Sequence, residues 1–194
     1  MTGPAVPVDG RSARRREQLL AAGAELLGER GWAGLTSRAV AERAGTHAGL
    51  VHYHFGGLPA LKRAVASLVV SQALEPALDV LLASPSWAAG LAAVVRAESA
   101  TDDTAAARSN AELITAALQD PEVAAVLRAA LTDARSRLVP WLRDTGADEP
   151  EGLATLVVAA LDGLLLHRLT DPDLPLDAVA AAGDALARAH PSGP

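Results

Sequence analysis

Residues 15–65 read RREQLLAAGAELLGERGWAGLTSRAVAERAGTHAGLVHYHFGGLPALKRAV, and the spacing of apolar residues and glycines in this stretch decides the fold. Leu19, Ala22 and Leu26 fall on one stripe beside Leu20, Ala24 and Leu27, the three-and-four spacing of a helix with one buried face. The pattern predicts a first helix from about Ser12, stopped by Gly28 to Gly31. Trp32, Gly34 and Leu35 form a short connection, and Thr36 or Ser37 offers an N-cap oxygen to a second helix carrying Val40, Ala41 and Ala44. Gly45 ends that helix after about two turns, and a third short helix is expected from about His47 to Tyr53. Gly56-Gly57 breaks the chain again, and Pro59 suits the first turn of a fourth helix that buries Leu61, Val65 and Leu68.

Two short helices joined by a glycine turn and braced by a first helix form a helix-turn-helix arrangement. The second helix of such a pair lies in the DNA major groove, about 12 Å wide, while its partner crosses the backbone. On the third helix the expected exposed positions are His47, Ala48, Gly49, His52 and Tyr53, and the buried ones are Leu50, Val51 and Phe55. Small residues at 48 and 49 permit close approach to bases, and the rings at 47, 52 and 53 supply hydrogen-bonding groups for base edges or phosphates. Thr36, Ser37 and Arg38 open the second helix, whose free N–H groups and dipole favour a phosphate, although Thr36 reads equally as a plain cap. His52 and His54 stand two apart on a helix and point to different faces, so they do not form a metal pair.

The segment Arg15–Val65 resembles the DNA-binding domain of TetR-family transcriptional regulators. The resemblance rests on an Ala-rich first helix, then Gly31-Trp32, Thr36, Ala44-Gly45, the small Gly49 and the terminal Tyr53-His54-Phe55, in that order. It departs from the family pattern at three places. Thr46 and His47 stand where Val-Ser is usual, so capping of the recognition helix passes to Thr46 or weakens. His52 replaces the first of two aromatics. Leu58 replaces a Lys that commonly opens the fourth helix and holds a phosphate, with Lys62 a possible substitute one turn later. By the resemblance, the DNA-contacting set is Arg15, Thr36, Ser37, Arg38, Thr46, His47, Ala48, Gly49, His52, Tyr53, His54 and Lys62.

Charge supports the placement. The chain's net charge is −6, yet residues 1–65 sum to +4 and the rest to −10. A basic end meets phosphates and an acidic remainder does not, although on charge alone Arg14, Arg15 and Arg16 read equally as a solvated helix start. Half of the residues are hydrophobic but only 3% are aromatic, and the apolar half is mostly Ala, Leu and Val. Such a composition favours helices and excludes an all-β chain. Cysteine is absent, which removes disulfides, thiolate nucleophiles and Cys-ligated zinc. No secretory pattern opens the chain, so the default compartment is the cytoplasm. The run Leu153–Leu166 falls short of a membrane span, includes Asp162 and reads as a buried helix.

Beyond residue 72, helices are expected at about 73–83, 86–100, 104–119, 121–143, 150–170 and 175–189, divided by Pro and Gly punctuation, with Pro140 opening or kinking the fourth of these. Residues 1–11 and 190–194 read as a disordered arm and a frayed tail. Helices 121–143 and 150–170 carry apolar faces wider than one partner requires, which suggests packing both inward and against a second subunit. By the resemblance, the last two long helices pair across a two-fold axis, with Val123, Leu127, Leu131, Leu153, Val157, Leu161 and Leu164 as the expected interface. The helices from 73 to 119 would then enclose an effector pocket, with Trp87, Asn110, Trp141 and His167 as candidate contacts and Glu112 as a further one. Scarce aromatics favour an aliphatic effector.

The expectation is an all-α chain divided at residues 12–72 and 73–190 into a three-helix helix-turn-helix domain and a helical dimerisation and effector domain. It implies a homodimeric repressor of a near-palindromic duplex operator, needing no cofactor and no metal. No nucleophile, base and orienting residue come together in the sequence, which disfavours an enzyme. A constitutive repressor without effector, and a helical enzyme or carrier on the same fold, are the alternatives.

Overall fold

A computed structural model describes residues 8–100 and 105–189. Those residues form nine helices and no strand: α1 (Val8–Gly34), α2 (Ser37–Arg43), α3 (Gly49–Phe55), α4 (Leu58–Leu82), α5 (Trp87–Ser99), α6 (Ala105–Ala117), α7 (Pro121–Asp144), α8 (Pro150–Thr170) and α9 (Leu176–Ala189). The arm expected over 1–11 lies outside the described residues as far as residue 7. From Val8 onward the chain is already in α1, so Arg11 and Arg14 ride on a helix. The tail 190–194 and the Asp102-Asp103 stretch also lie outside the described residues.

The helix boundaries, those expected and those not, have identifiable causes. Within the expected Gly28–Gly31 stop of α1, Gly28 is not itself the break: a Cβ there would lie 2.9 Å from Ser109 Oγ, so this glycine serves the close crossing of α6. The break comes at Gly31, with φ 67° and ψ −178°, a region essentially reserved for glycine, before one further turn. α3 runs to Phe55 because Gly56, at φ 76°, provides the left-handed cap and donates its N–H to His52 O. The two helices expected on either side of residue 72 are one. α4 continues through Pro76, which sits on its exposed side, and the 72/73 division falls within it. α7 spans Pro121–Asp144 with Pro140 inside it, in line with the helix expected over 121–143.

The ends are built from the residues the sequence supplies. Asp120 accepts hydrogen bonds from Glu122 N (2.9 Å) and Val123 N (3.4 Å) at the start of α7. At the other end Gly146 N donates to Arg143 O and Ala147 N to Leu142 O, both at 3.0 Å, the paired closure of a Schellman motif.

Two cores share one helix. The first gathers Leu19, Leu26 and Leu27 of α1, Val40 of α2, Val51 of α3, and Leu61, Val65 and Val69 of α4, closed by Leu113 of α6. The second gathers Leu78 and Leu81 of α4, Val94 of α5, Leu138 and Leu142 of α7, and Ala154, Val157 and Val158 of α8. Leu74 touches both. α9 lies along α5, and Gly183 permits the approach, since a Cβ there would lie 2.9 Å from the Ala92 Cβ. α4 and α8 are each long and apolar enough to cross a membrane by length and composition, but α4 is a core helix. α8 is not the buried helix expected, because only its 154, 157 and 158 side is fully covered beyond Pro150.

Candidate DNA-binding surface and ligand cavity

The glycine turn between α2 and α3 closes with the same geometry as the end of α7. Gly45 N donates to Glu42 O at 3.1 Å and Thr46 N to Ala41 O at 2.8 Å, with Gly45 at φ 63°. Thr36 caps α2, its Oγ1 accepting from Ala39 N at 3.1 Å. Thr46 does not cap α3: the position before that helix is Ala48, which makes no side-chain bond, and Thr46 contributes through its backbone. α3 is held by Val51 in the core and by the Phe55 ring, over which the Arg16 guanidinium sits 4.9 Å from the centroid. Its outward face carries His47, Ala48, Gly49, His52 and Tyr53, all exposed, with Tyr53 76% exposed. His47 folds back so that a Cβ on Gly49 would lie 3.1 Å from its Nδ1, and the Tyr53 and His54 rings meet edge-on at 4.9 Å.

The basic residues divide into inward and outward sets. Arg43 bridges to Glu25 (3.0 Å) and Glu29 (2.9 and 2.5 Å), pinning α2 to α1 and holding the Glu29 carboxyl below its ordinary range. Arg63 pairs with Glu122. Lys62, the expected substitute for a phosphate-holding Lys at position 58, is turned to α1: its Nζ donates to Trp32 O at 3.0 Å and sits 4.8 Å from the centre of the Trp32 ring. Burial pushes its amine pKa down. Lys62 thus ties α4 to the turn after Gly31, across 30 residues of sequence. Arg11, Arg14 and Arg38 are exposed and Arg15 is half-buried. The expected DNA-contacting set lacks Arg11 because the first helix is expected only from Ser12, and lacks Arg14 because the basic run at its start reads equally as solvated.

A cavity of about 290 Å³ lies where the two cores meet. Val70, Ala73, Leu74, Ala77, Leu78 and Leu81 of α4 line it at helical spacing. Val94, Val95 and Glu98 of α5, Asn110 and Ile114 of α6, and Leu127 and Leu131 of α7 continue the wall. Val158, Leu161, Asp162, Leu164, Leu165 and Arg168 of α8 and Leu176 of α9 complete it. Asn110 is 7% exposed. Arg168 Nη1 donates to Glu98 O at 2.5 Å and to Glu98 Oε2 at 3.4 Å. Burial raises the Asp162 carboxyl above its ordinary pKa.

Of the four expected effector contacts, only Asn110 lines this cavity. Trp87 and Trp141 pack against the second core, His167 is exposed, and Glu112 lies against Gly31 instead. The side chains expected between subunits face inward. Val123 and Val157 are buried within the chain, Leu153 packs on the second core, and Leu127, Leu131, Leu161 and Leu164 line the cavity. The uncovered face of α8 carries Leu156, 67% exposed, with Ala159 and Ala160, and α9 exposes Ala178, Ala181, Ala182, Ala185 and Leu186. Both sides of α8 are apolar, so its periodicity did not distinguish them; Asp162 between the leucines was the one available marker of the cavity side.

Comparison with known proteins gives two profile matches along the chain. Residues 19–65 match the profile of bacterial regulatory proteins of the tetR family, and residues 85–192 match that of the tetracyclin repressor-like C-terminal domain. No curated protein matches. Among solved structures, a transcriptional regulator from Rhodococcus sp. Rha1 is 26% identical over 92% of this chain and 99% of its own, with a TM-score of 0.75. The multidrug binding protein EbrR, solved with imidazole, is 27% identical over 97% and 99%, with a TM-score of 0.72. A TetR-family member from Streptomyces coelicolor is 29% identical over 91% and 98%, with a TM-score of 0.68. Two matching profiles along the chain, the second spanning more than half of it, show that this protein belongs to the TetR family of transcriptional regulators.

Proposed function

We propose that the protein is a homodimeric repressor that binds a near-palindromic DNA operator and releases it when a small molecule enters the cavity. The observation that carries this reading is α4. Its first half, through Leu61 and Val65, supports the helix-turn-helix, and its second half, from Val70 to Leu81, is the longest single wall of the cavity. A ligand that prefers one tilt of this helix therefore changes the distance between two recognition helices in a dimer, and operator affinity changes with it. In this reading the DNA-binding part is α1 to α3 with the start of α4, and the remainder binds effector and partner, acting in the cytoplasm.

The DNA-contacting set comprises Thr36, Ser37 and Arg38 at the start of α2, and His47, Ala48, Gly49, His52 and Tyr53 on the outward face of α3. Arg11, Arg14 and Arg15 of α1 hold phosphates, and Lys62 leaves the set. The exposed apolar faces of α8 and α9 supply the subunit interface, because water-exposed Leu156 and its alanine neighbours gain from burial against a second copy. The open cavity favours an effector-responsive regulator over a constitutive one, whose pocket would be filled, and its Leu-, Val- and Ala-rich wall favours an aliphatic effector. EbrR, the multidrug-binding relative, supports this use of the C-terminal helices.

The test is fluorescence anisotropy of a labelled operator, first obtained by selection from random duplex DNA, while a small-molecule library is titrated. At least one compound should weaken binding about tenfold or more with helical content and dimer intact. Intact operator binding with no responsive compound would leave the constitutive repressor as the correct account.

A further inference from the structure

We infer that the cavity takes an aliphatic monocation, an amine or quaternary ammonium whose charged head meets Asp162 and whose hydrocarbon tail fills the space against α4. This rests on the reading of the cavity as the effector site and names the class of molecule it accepts.

The argument is a charge count inside an apolar container. Among the described residues, three ionisable side chains line the cavity: Glu98, Asp162 and Arg168. Arg168 is committed to Glu98, through both the carboxylate and the backbone carbonyl, and so is engaged away from Asp162. Asp162 has no hydrogen-bond or ion-pair partner among the described residues, and the lone influence on its carboxyl is burial, which raises its pKa. Among the described residues Asp162 is thus the uncompensated acid of the cavity, set among leucines and valines on a helix whose neighbouring cavity positions, Leu161 and Leu165, are apolar.

An unpartnered acid in such a place is unfavourable to the empty protein, and a leucine would pack there at no such cost. A ligand that brings a single positive charge turns that penalty into a charge-assisted contact in a low-dielectric site. An anion meets the opposite: Asp162 repels it, and Arg168, the cation among the described lining residues, is already held by Glu98. The buried amide of Asn110 gives a second polar group on the cavity wall, suited to a donor such as a protonated amine. Among the described residues no aromatic side chain lines the cavity, so the cation is recognised by charge and by a tail that matches aliphatic walls.

The experiment is isothermal titration calorimetry of the full-length protein at neutral pH with a matched set of probes: octylammonium, octanol and octanoate. Octylammonium should bind at least tenfold tighter than octanol, and octanoate weakest. Asp162→Asn should lower octylammonium affinity about tenfold or more while leaving octanol within about twofold. Asp162→Glu, which keeps the charge, should retain most of the ammonium preference. Equal binding of octanol and octylammonium, or a preference for octanoate, would overturn the cation assignment while leaving the cavity as the effector site. A control variant, Ala77→Trp, fills the cavity from α4 and should abolish binding of every probe. Octylammonium binding that survives this substitution would place the ligand elsewhere and overturn both readings.

Discussion

At Gly31 the backbone conformation is closed to ordinary side chains, and a Cβ would also lie 2.6 Å from Glu112 Oε2. Gly31→Ala should therefore destabilise the protein by about 1–3 kcal/mol, and pairing it with Glu112→Ala should recover only the steric part. Gly23 is confined differently: a Cβ would lie 2.4 Å from Cγ2 of the fully buried Val65, where α1 crosses α4. Gly23→Ala should cost about 1–3 kcal/mol by overpacking, whereas Gly152→Ala, with nothing within 4 Å, should gain up to about 1 kcal/mol from helix propensity. Thermal melts read all three, at roughly 2–4 °C per kcal/mol for a chain of this size. Asp162 makes a pH prediction. Its folded-state pKa lies above the unfolded value of about 3.9, so folding favours its neutral form. The stability it contributes is complete below about pH 4 and is lost as pH rises through the folded pKa. Asp162→Asn should accordingly melt above wild type at pH 7, with the gap closing toward pH 4; a gap that does not vary with pH would show that burial of the carboxylate is not the cause.

Among the elements, α4 separates what the sequence reveals from what it hides. The punctuation of the helix-turn-helix was legible because it is local. Thr36, Gly45 and Gly56 each act on the backbone within a turn of themselves, and the structure uses all three at helix ends. The direction of Lys62 was not legible, because its partner Trp32 lies on another helix and only tertiary packing brings them together. The inward orientation of α7 and α8 was hidden for a related reason: their interface candidates, including Leu127 and Leu161, satisfy a helical period on a face that the fold turns to the cavity. DNA binding distinguishes the roles on α4. Lys62→Met should lower stability by about 1–2 kcal/mol through loss of the Trp32 contacts yet leave the salt dependence of operator binding unchanged. Arg38→Ala should flatten the slope of log K against log salt by about one per subunit, and Leu58→Lys should steepen it by a similar amount.

For the whole molecule, the charge asymmetry and the exposed apolar face of α8 and α9 fit the proposed dimer, in which basic helix-turn-helix units would be presented together and acidic helical bodies joined through Leu156, Leu186 and the alanines between them. Leu156→Glu should convert the dimer to folded monomer in sedimentation velocity, with unchanged helical circular dichroism, and should reduce operator affinity to that of a single half-site. The measurement that tests the central claim most directly is selection of bound sequences from a random duplex pool by the wild-type protein, followed by a salt titration on the enriched motif. The account predicts a near-palindrome with half-sites about one helical turn apart, 34–36 Å, bound at nanomolar strength with a steep salt slope. Absence of any enriched motif, with binding held at the non-specific level of about 10⁻⁴ to 10⁻⁶ M, would contradict it.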